Sequence, residues 1–129
     1  MNDGFIKVGA VSPVLRVSDP AFNCDRIIEM MRSGAEKGVK VLVFPELSIT
    51  GYTAQDLFFQ KSLRKSATEG LERIVKASSA LDVLIFVGYP FEYKGKLYNT
   101  AAAIKGGHIL ALIAKKNLPS YGEFYETRW

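Results

Sequence analysis

The chain has 129 residues, of which 48% are hydrophobic and 23% charged, and its formal net charge is +4. This balance is typical of one soluble globular domain or part of one, and the interspersed basic residues argue against a nucleic-acid-binding surface. No apolar run approaches the roughly 18 residues of a membrane helix, and no secretory signal pattern opens the chain. The single cysteine, Cys24, cannot form an internal disulfide, so we expect a cytoplasmic protein.

The first third of the chain predicts a strand, a helix and a second strand. Residues Phe5 to Val11 are typical of a short strand. A helix then begins at Asp19 or at Asn23, carries apolar residues at steps of three and four, and ends where Gly38 can serve as its C-cap. The apolar run from Val39 to Phe44 favours a strand that is buried on both faces.

The remainder predicts one long helical segment and three more strands. Ser48 to Gln55 is typical of a loop, and Asp56 to Leu81 is mostly helical with a break near Gln60. Apolar runs bounded by glycine-containing turns predict the strands Val83–Val87, which Gly88-Tyr89-Pro90 ends, Leu97–Ile104 and Ile109–Ala114. Because buried strands are joined by helices, we expect an α/β layered fold, without a domain boundary inside the chain.

Two ionisable residues directly follow predicted strands. Glu46 comes after the run Val41–Pro45, and Lys115 comes after Ile109–Ala114. Ligands of open α/β sheets bind beyond the carboxyl ends of the strands, so the two side chains could share a site. A carboxylate there can act as a general base and an ammonium can stabilise an oxyanion. Position alone nevertheless favours the competing interpretation, in which each is a solvated loop charge.

Other candidate residues favour ordinary structural roles. His108, the only histidine, follows two glycines and is typical of a surface turn. Cys24 lies on the apolar face of the first predicted helix, which indicates a small buried thiol. The glycines form no nucleotide-binding pattern, and no cluster of Cys and His predicts a metal site.

Two segments resemble the signatures of the nitrilase, or carbon–nitrogen hydrolase, superfamily. Phe44–Tyr52 resembles the first signature and Lys115–Tyr121 the lysine signature, in the right order and at about the right distance. Within the superfamily, Val17–Asn23, Gly51–Phe58 and Leu118–Trp129 resemble the glutaminase domain of glutamine-dependent NAD synthetases. The resemblance covers nearly the whole chain.

The resemblance implies a nitrilase-type αββα four-layer sandwich, of which residues 1–129 would form the N-terminal half. The chain would then stop before the catalytic cysteine and contain no nucleophile. A half-domain would leave one face of its sheet without a partner layer, so we expect the isolated chain to self-associate.

The same resemblance implies a Cys-Glu-Lys triad. Glu46 would be its general base, and Lys115, rather than the neighbouring Lys116, would stabilise the oxyanion. Three further residues would complete the site, with Tyr121 and Tyr52 contacting the substrate and Glu126 orienting the lysine. No metal is implied for this domain.

By resemblance, the substrate is glutamine and the chain alone is inactive. The ammonia released would pass to a C-terminal synthetase domain that uses ATP and magnesium, while this domain itself needs no cofactor. A homo-oligomer is implied, with no nucleic-acid or membrane partner. Two alternatives stay open: a stand-alone carbon–nitrogen hydrolase of another amide or nitrile, and a non-catalytic assembly module.

Overall fold

The computed structural model describes residues 3–129, and in it two long helices cover one face of a five-stranded sheet. The elements in chain order are β1 Lys7–Ala10, α1 Pro20–Glu36, β2 Val39–Val43, a first 3₁₀ helix Tyr52–Phe59, α2 Lys61–Ser78, β3 Leu84–Tyr93, β4 Lys96–Lys105, β5 His108–Ala114 and a second 3₁₀ helix Glu126–Arg128. The strands lie in chain order across the sheet, with β1, β2 and β3 parallel and β3, β4 and β5 antiparallel. None of the helices found between residues 3 and 129 has the length and apolar character needed to cross a bilayer.

The helix boundaries follow local capping rules. Asp19 caps α1, because its Oδ1 accepts a hydrogen bond of 3.1 Å from the backbone N–H of Phe22. Of the two predicted start points, Asp19 is therefore correct and Asn23 is not. Gly38 follows the helix with a φ of +78°, as the C-cap prediction requires. Gln60 is extended and separates the first 3₁₀ helix from α2, which confirms the predicted break.

The core lies between the two helices and the sheet. Cys24 on α1 is fully buried, and a Cβ at Gly70 of α2 would come within 2.5 Å of its Sγ. The glycine thus allows the two helices to approach closely. The strands contribute apolar side chains to the same core, including Leu42, Ile85, Val87, Ala102 and Ile104.

Two strand predictions were wrong, and for different reasons. The predicted end of β3 at Gly88-Tyr89-Pro90 is incorrect, since the strand continues to Tyr93. Beyond Phe86 it pairs only with β4, and a strand with one free edge can hold a proline. The strand β2 is not buried on both faces, because Val43 is 44% exposed.

The exposed face of the sheet is apolar. A row of side chains opposite the helices runs across all five strands through the paired residues Ala10, Val43, Phe86, Ala103 and Ala111. No helix or strand among residues 3–129 covers this uncovered face, and Ile113 on it is 52% exposed. The expected bare sheet face is therefore present, while self-association stays a prediction.

A β-bulge in β5 sets the register of the last hairpin. Ile104 pairs with Ile109, whereas Ala103 pairs with Ala111, so Leu110 has no partner on β4. After the bulge, Thr100 pairs with Ala114. The bulge therefore decides which residue of β4 lies opposite the end of β5.

Candidate active site

Glu46 lies in a tight turn after β2, and that turn rests directly on β3. A Cβ at Gly88 would come within 2.0 Å of the backbone nitrogen of Leu47, so only glycine lets the turn sit there. Leu47 itself has a φ of +50°, in the left-handed region. The fully buried Asn23 donates a 3.0 Å hydrogen bond to the carbonyl of Ile49, which ties the same loop to α1. The position of the Glu46 carboxylate is thus fixed by backbone packing.

Lys115 directly follows β5 and lies beside Asn99 of β4. Its backbone N–H donates a 2.8 Å hydrogen bond to the Asn99 carbonyl, which continues the ladder beyond the bulge. Residues opposite each other in an antiparallel pair project to the same face, so both side chains lie on the uncovered side of the sheet. The same cavity is lined by Glu46 and by apolar residues of that face, such as Phe86 and Ile113.

Glu126 arrives from the end of the chain and is buried. It opens the second 3₁₀ helix, and only 1% of its side chain is exposed. Trp129 packs on Phe58 with ring centroids 4.7 Å apart, and Arg128 forms two hydrogen bonds, of 2.7 and 3.0 Å, with Asp56. These contacts hold the last residues of the chain against the first 3₁₀ helix.

These elements bring one ammonium group between two carboxylates. The Lys115 Nζ lies 2.8 Å from Oε1 of Glu46 and 2.8 Å from Oε1 of Glu126. Tyr52 donates a 2.6 Å hydrogen bond to the same Glu126 oxygen. Charge-assisted bonds of this length are strong, so the lysine is held at a fixed point next to the more exposed Glu46. Nucleophilic attack on a carbonyl carbon is helped by a base that deprotonates the nucleophile and by a fixed cation that stabilises the oxyanion. The carboxylate and the ammonium of this cluster are groups of these two kinds.

The protonation states in this cluster are set by the hydrogen bonds within it. Burial by itself would lower the pKa of Lys115, but the hydrogen bonds that its ammonium donates to Glu126 and Glu46 outweigh burial, and the pKa lies above its usual value. Burial by itself would raise the pKa of Glu126, but Lys115 and Tyr52 outweigh it and hold that pKa low. Burial, and then the bond to Glu126, raise the pKa of Tyr52. At neutral pH the buried pair is therefore ionic and the phenol is a donor.

The other candidate residues lie outside the cluster. Lys116 is exposed and makes no ion pair with any residue of the described range 3–129. Tyr121 is 71% exposed, and its ring packs edge-on against Phe124 rather than against the lysine. Of the two lysines, the structure brings only Lys115 to the carboxylates.

Asn99 was missed by the sequence analysis. Its Nδ2 donates a short hydrogen bond to Oε1 of Glu46 and a longer one, of 3.5 Å, to Oε2 of Glu126. Its position on the strand β4 was predicted, but not its partner on β5. In a hairpin that pairs Lys105 with His108 and has no bulge, Asn99 would lie opposite Ala114. The bulge is what places it beside the lysine.

Cys24 lies on the opposite, helix-covered side of the sheet from this cluster. It is fully buried in the helix-facing core, and burial raises the pKa of its thiol to about 12. A thiol that stays protonated and inaccessible cannot act as a nucleophile at neutral pH. Within the part of the chain that the structure describes, no three side chains of His, Cys, Asp and Glu gather as metal ligands would.

Comparison with known proteins places this geometry in a family. The family model described as carbon-nitrogen hydrolase matches residues 7–128. The glutamine-dependent NAD(+) synthetase of Mycobacterium tuberculosis (strain ATCC 25618 / H37Rv) is 36% identical over 125 residues, which are 97% of this chain and 18% of that protein. The protein of the same name from Aquifex aeolicus is 34% identical over 113 residues. The chain thus spans about a fifth of the length of the curated relatives that it matches.

Solved structures agree with this assignment. The crystal structure of a glutamine-dependent NAD(+) synthetase from Cytophaga hutchinsonii superposes with a TM-score of 0.90 at 29% identity, over 96% of this chain and 21% of that chain. An amidase from Nesterenkonia sp. superposes with a TM-score of 0.75 at 24% identity, over 88% of this chain and 43% of that chain, and shows the shared fold. The helix layer and sheet are the N-terminal half of the nitrilase-type αββα sandwich. By sequence and by fold, the chain belongs to the carbon–nitrogen hydrolase family.

Proposed function

We propose that this chain supplies the general base and the oxyanion-stabilising lysine of a glutamine-hydrolysing domain. In this proposal it is the N-terminal part of a glutamine-dependent NAD synthetase, and it is inactive alone. The observation that carries the proposal is the ammonium of Lys115, 2.8 Å from both Glu46 and Glu126, in a chain 36% identical to a protein of that name.

The proposed reaction uses a cysteine thiol that lies outside residues 1–129. Glu46 removes the thiol proton, and the sulfur attacks the side-chain amide carbon of glutamine. Lys115 stabilises the oxyanion, and Glu46 returns the proton to the departing ammonia. A thioester remains, which water hydrolyses to glutamate while restoring the thiol.

Two tyrosines are proposed to contact the glutamine substrate. Tyr121 can do so because the residue is 71% exposed on the segment that follows Lys115. The hydroxyl of Tyr52 is already bonded to Glu126, so its contribution would come from the ring. Glu126, held by that bond, would orient the lysine.

The ammonia would serve a second domain of the same polypeptide. That domain is proposed to amidate the adenylated form of nicotinic acid adenine dinucleotide with ATP and magnesium. The name of the relatives, glutamine-dependent NAD(+) synthetase, supports only that the product is NAD. The glutaminase domain itself would need no cofactor. We further propose a cytoplasmic homo-oligomer.

The test begins with the source gene beyond Trp129. Translation of the reading frame should reveal a cysteine some tens of residues further on, followed by a synthetase sequence. The complete product is then assayed for glutamate release from glutamine, and for NAD formation when ATP, magnesium and nicotinic acid adenine dinucleotide are added. Both activities are expected.

A pair of adjacent lysines provides a matched control. Lys115→Ala should lower the rate of glutamate release about a hundredfold or more, because it removes a preorganised oxyanion partner. Lys116→Ala removes an exposed side chain next to it and should change the rate little. Equal losses from the two variants would contradict the assigned role of Lys115.

Two results would favour other functions. Hydrolysis of another amide or nitrile without hydrolysis of glutamine would indicate a stand-alone carbon–nitrogen hydrolase. A complete product without the cysteine, and without hydrolytic activity, would indicate an assembly module.

A further inference from the structure

Both side chains that bond Glu46 use the same oxygen of its carboxylate. Lys115 donates to Oε1 at 2.8 Å, and Nδ2 of Asn99 donates a short hydrogen bond to that Oε1. No residue between 3 and 129 donates to Oε2 of Glu46. The carboxylate is therefore anchored by one oxygen and has the other available.

The orientation of the Asn99 amide follows from its neighbours. Ionised carboxylates only accept hydrogen bonds, so the side of the amide that faces Glu46 and Glu126 must be the NH₂ group. Its two hydrogens can serve both carboxylates, the stronger bond going to Glu46 and the 3.5 Å contact to Glu126. The side chain of Asn99 thus spans the two acids on either side of the lysine.

We propose that Asn99 is a positioning residue for Glu46, which rests on the proposed function. With Lys115 it fixes Oε1, so that Oε2 is the oxygen that takes the proton from the nucleophile. In that step the S–H bond of the cysteine thiol breaks, an O–H bond forms at Oε2 of Glu46, and the electron pair stays on sulfur. Lys115 alone could hold the carboxylate near the cation, but a single contact leaves it free to rotate and present either oxygen.

The experiment follows the reactivity of the nucleophilic cysteine in the complete gene product. The rate of its alkylation by iodoacetamide at neutral pH reports thiolate formation without requiring glutamine. Asn99→Ala should lower this rate about tenfold or more, as expected when a general base is no longer aligned. Asn117→Ala, the same change at an exposed asparagine two residues after Lys115, is the control and should leave the rate unchanged.

A double-mutant cycle separates positioning from a general structural role. If Asn99 acts through Glu46, then Asn99→Ala should have no further effect on alkylation once Glu46→Gln is present. The proposal would be overturned if Asn99→Ala slowed alkylation by the same factor in wild-type protein and in the Glu46→Gln variant. It would also be overturned if the Asn99→Ala rate lay within a factor of about two of the wild-type rate. If Glu46→Gln leaves alkylation unchanged, Glu46 is not the base and the proposal also fails.

A second variant covers the case in which alanine disturbs the fold. Asn99→Asp keeps the shape of the side chain but replaces the donor with a third carboxylate. The new carboxylate either shares a proton with Glu46 or repels it, so alkylation should again slow. The kcat for glutamine should fall in both variants while KM stays near the wild-type value. If the variants change cysteine alkylation as expected but the wild-type protein does not hydrolyse glutamine, the proposed substrate is wrong and the role of Asn99 still holds.

Discussion

The two carboxylates beside Lys115 are alike in distance and unlike in surroundings. Each lies 2.8 Å from the ammonium, yet the Glu46 side chain is 41% exposed and the Glu126 side chain 1% exposed. Glu46 stands on a turn that packs against β3, and its Oε2 accepts no hydrogen bond from residues 3–129. Glu126 is enclosed by Tyr52 and the end of the chain. From this difference we infer separate tasks, in which Glu46 exchanges a proton and Glu126 holds the lysine.

The largest expected effect comes from neutralising each acid in turn. In the complete gene product, Glu46→Gln should lower kcat for glutamine hydrolysis by about 10²–10⁴-fold, the usual contribution of a general base. Glu126→Gln should lower it less, because the amide oxygen can still accept from Lys115. Steady-state kinetics of the two variants would contradict the inferred division of tasks if the losses were equal or reversed.

Moving the turn rather than the side chain should also be costly. Gly88→Ala places a Cβ within 2.0 Å of the Leu47 backbone, which must shift and take Glu46 with it. We expect a loss of about 3 kcal/mol in the free energy of unfolding, at the upper end of overpacking effects. Urea denaturation measures it. Gly34→Ala, whose Cβ would lie 3.4 Å from the flexible side chain of Leu42, is the control and should cost far less.

The buried Glu126 should contribute more to the free energy of unfolding than the exposed Glu123. Glu126→Ala removes a partner of Lys115 and leaves the Tyr52 hydroxyl without its acceptor, so we expect a loss of about 2 kcal/mol. Glu123→Ala makes the same change three residues earlier at an exposed position, and should stay within about 0.5 kcal/mol of the wild type. Comparable losses in denaturation experiments would mean that Glu126 is not the structural acid.

The pH dependence of stability gives a smaller and more specific signal. Lys115 and Tyr52 hold the pKa of Glu126 below the ordinary value of 4.5, so the folded state binds this proton less readily than the unfolded chain. The resulting stabilisation is present above pH 4.5 and is lost as the pH falls through the folded-state value. The difference in unfolding free energy between the wild type and Glu126→Gln should therefore shrink on acidification, and a difference that grew would contradict it.

The smallest expected effect concerns the ion pair that holds the end of the chain. Arg128→Ala removes two bonds to Asp56, but both side chains are more than half exposed, and solvent screens such pairs. The melting temperature should fall only slightly, and less than in Glu126→Ala. Differential scanning calorimetry of both variants would show whether burial rather than the ion pair secures Glu126.

Features that depend on residues close in sequence could be predicted, and features that depend on distant parts of the chain could not. The break at Gln60 and the strand-end positions of Glu46 and Lys115 depend on neighbouring residues, and the structure agrees with each; the sequence narrows the start of the first helix to Asp19 or Asn23, and the structure selects Asp19. The length of β3 past Pro90 depends on which strands pair with it, and the exposure of Val43 depends on which layer covers it. Neither is encoded within a few residues of the position concerned.

The bulge at Leu110 determines how the last hairpin can change in length. Because one residue of β5 has no partner, the strand is one residue longer than its ladder with β4 requires. A deletion of one residue inside the strand can be absorbed by straightening the bulge, with Lys115 still opposite Asn99. An insertion cannot be absorbed in this way, and it would turn the lysine to the helix-covered side of the sheet. Among homologous hairpins, shorter versions of this strand should therefore keep their lysine in place more readily than longer ones.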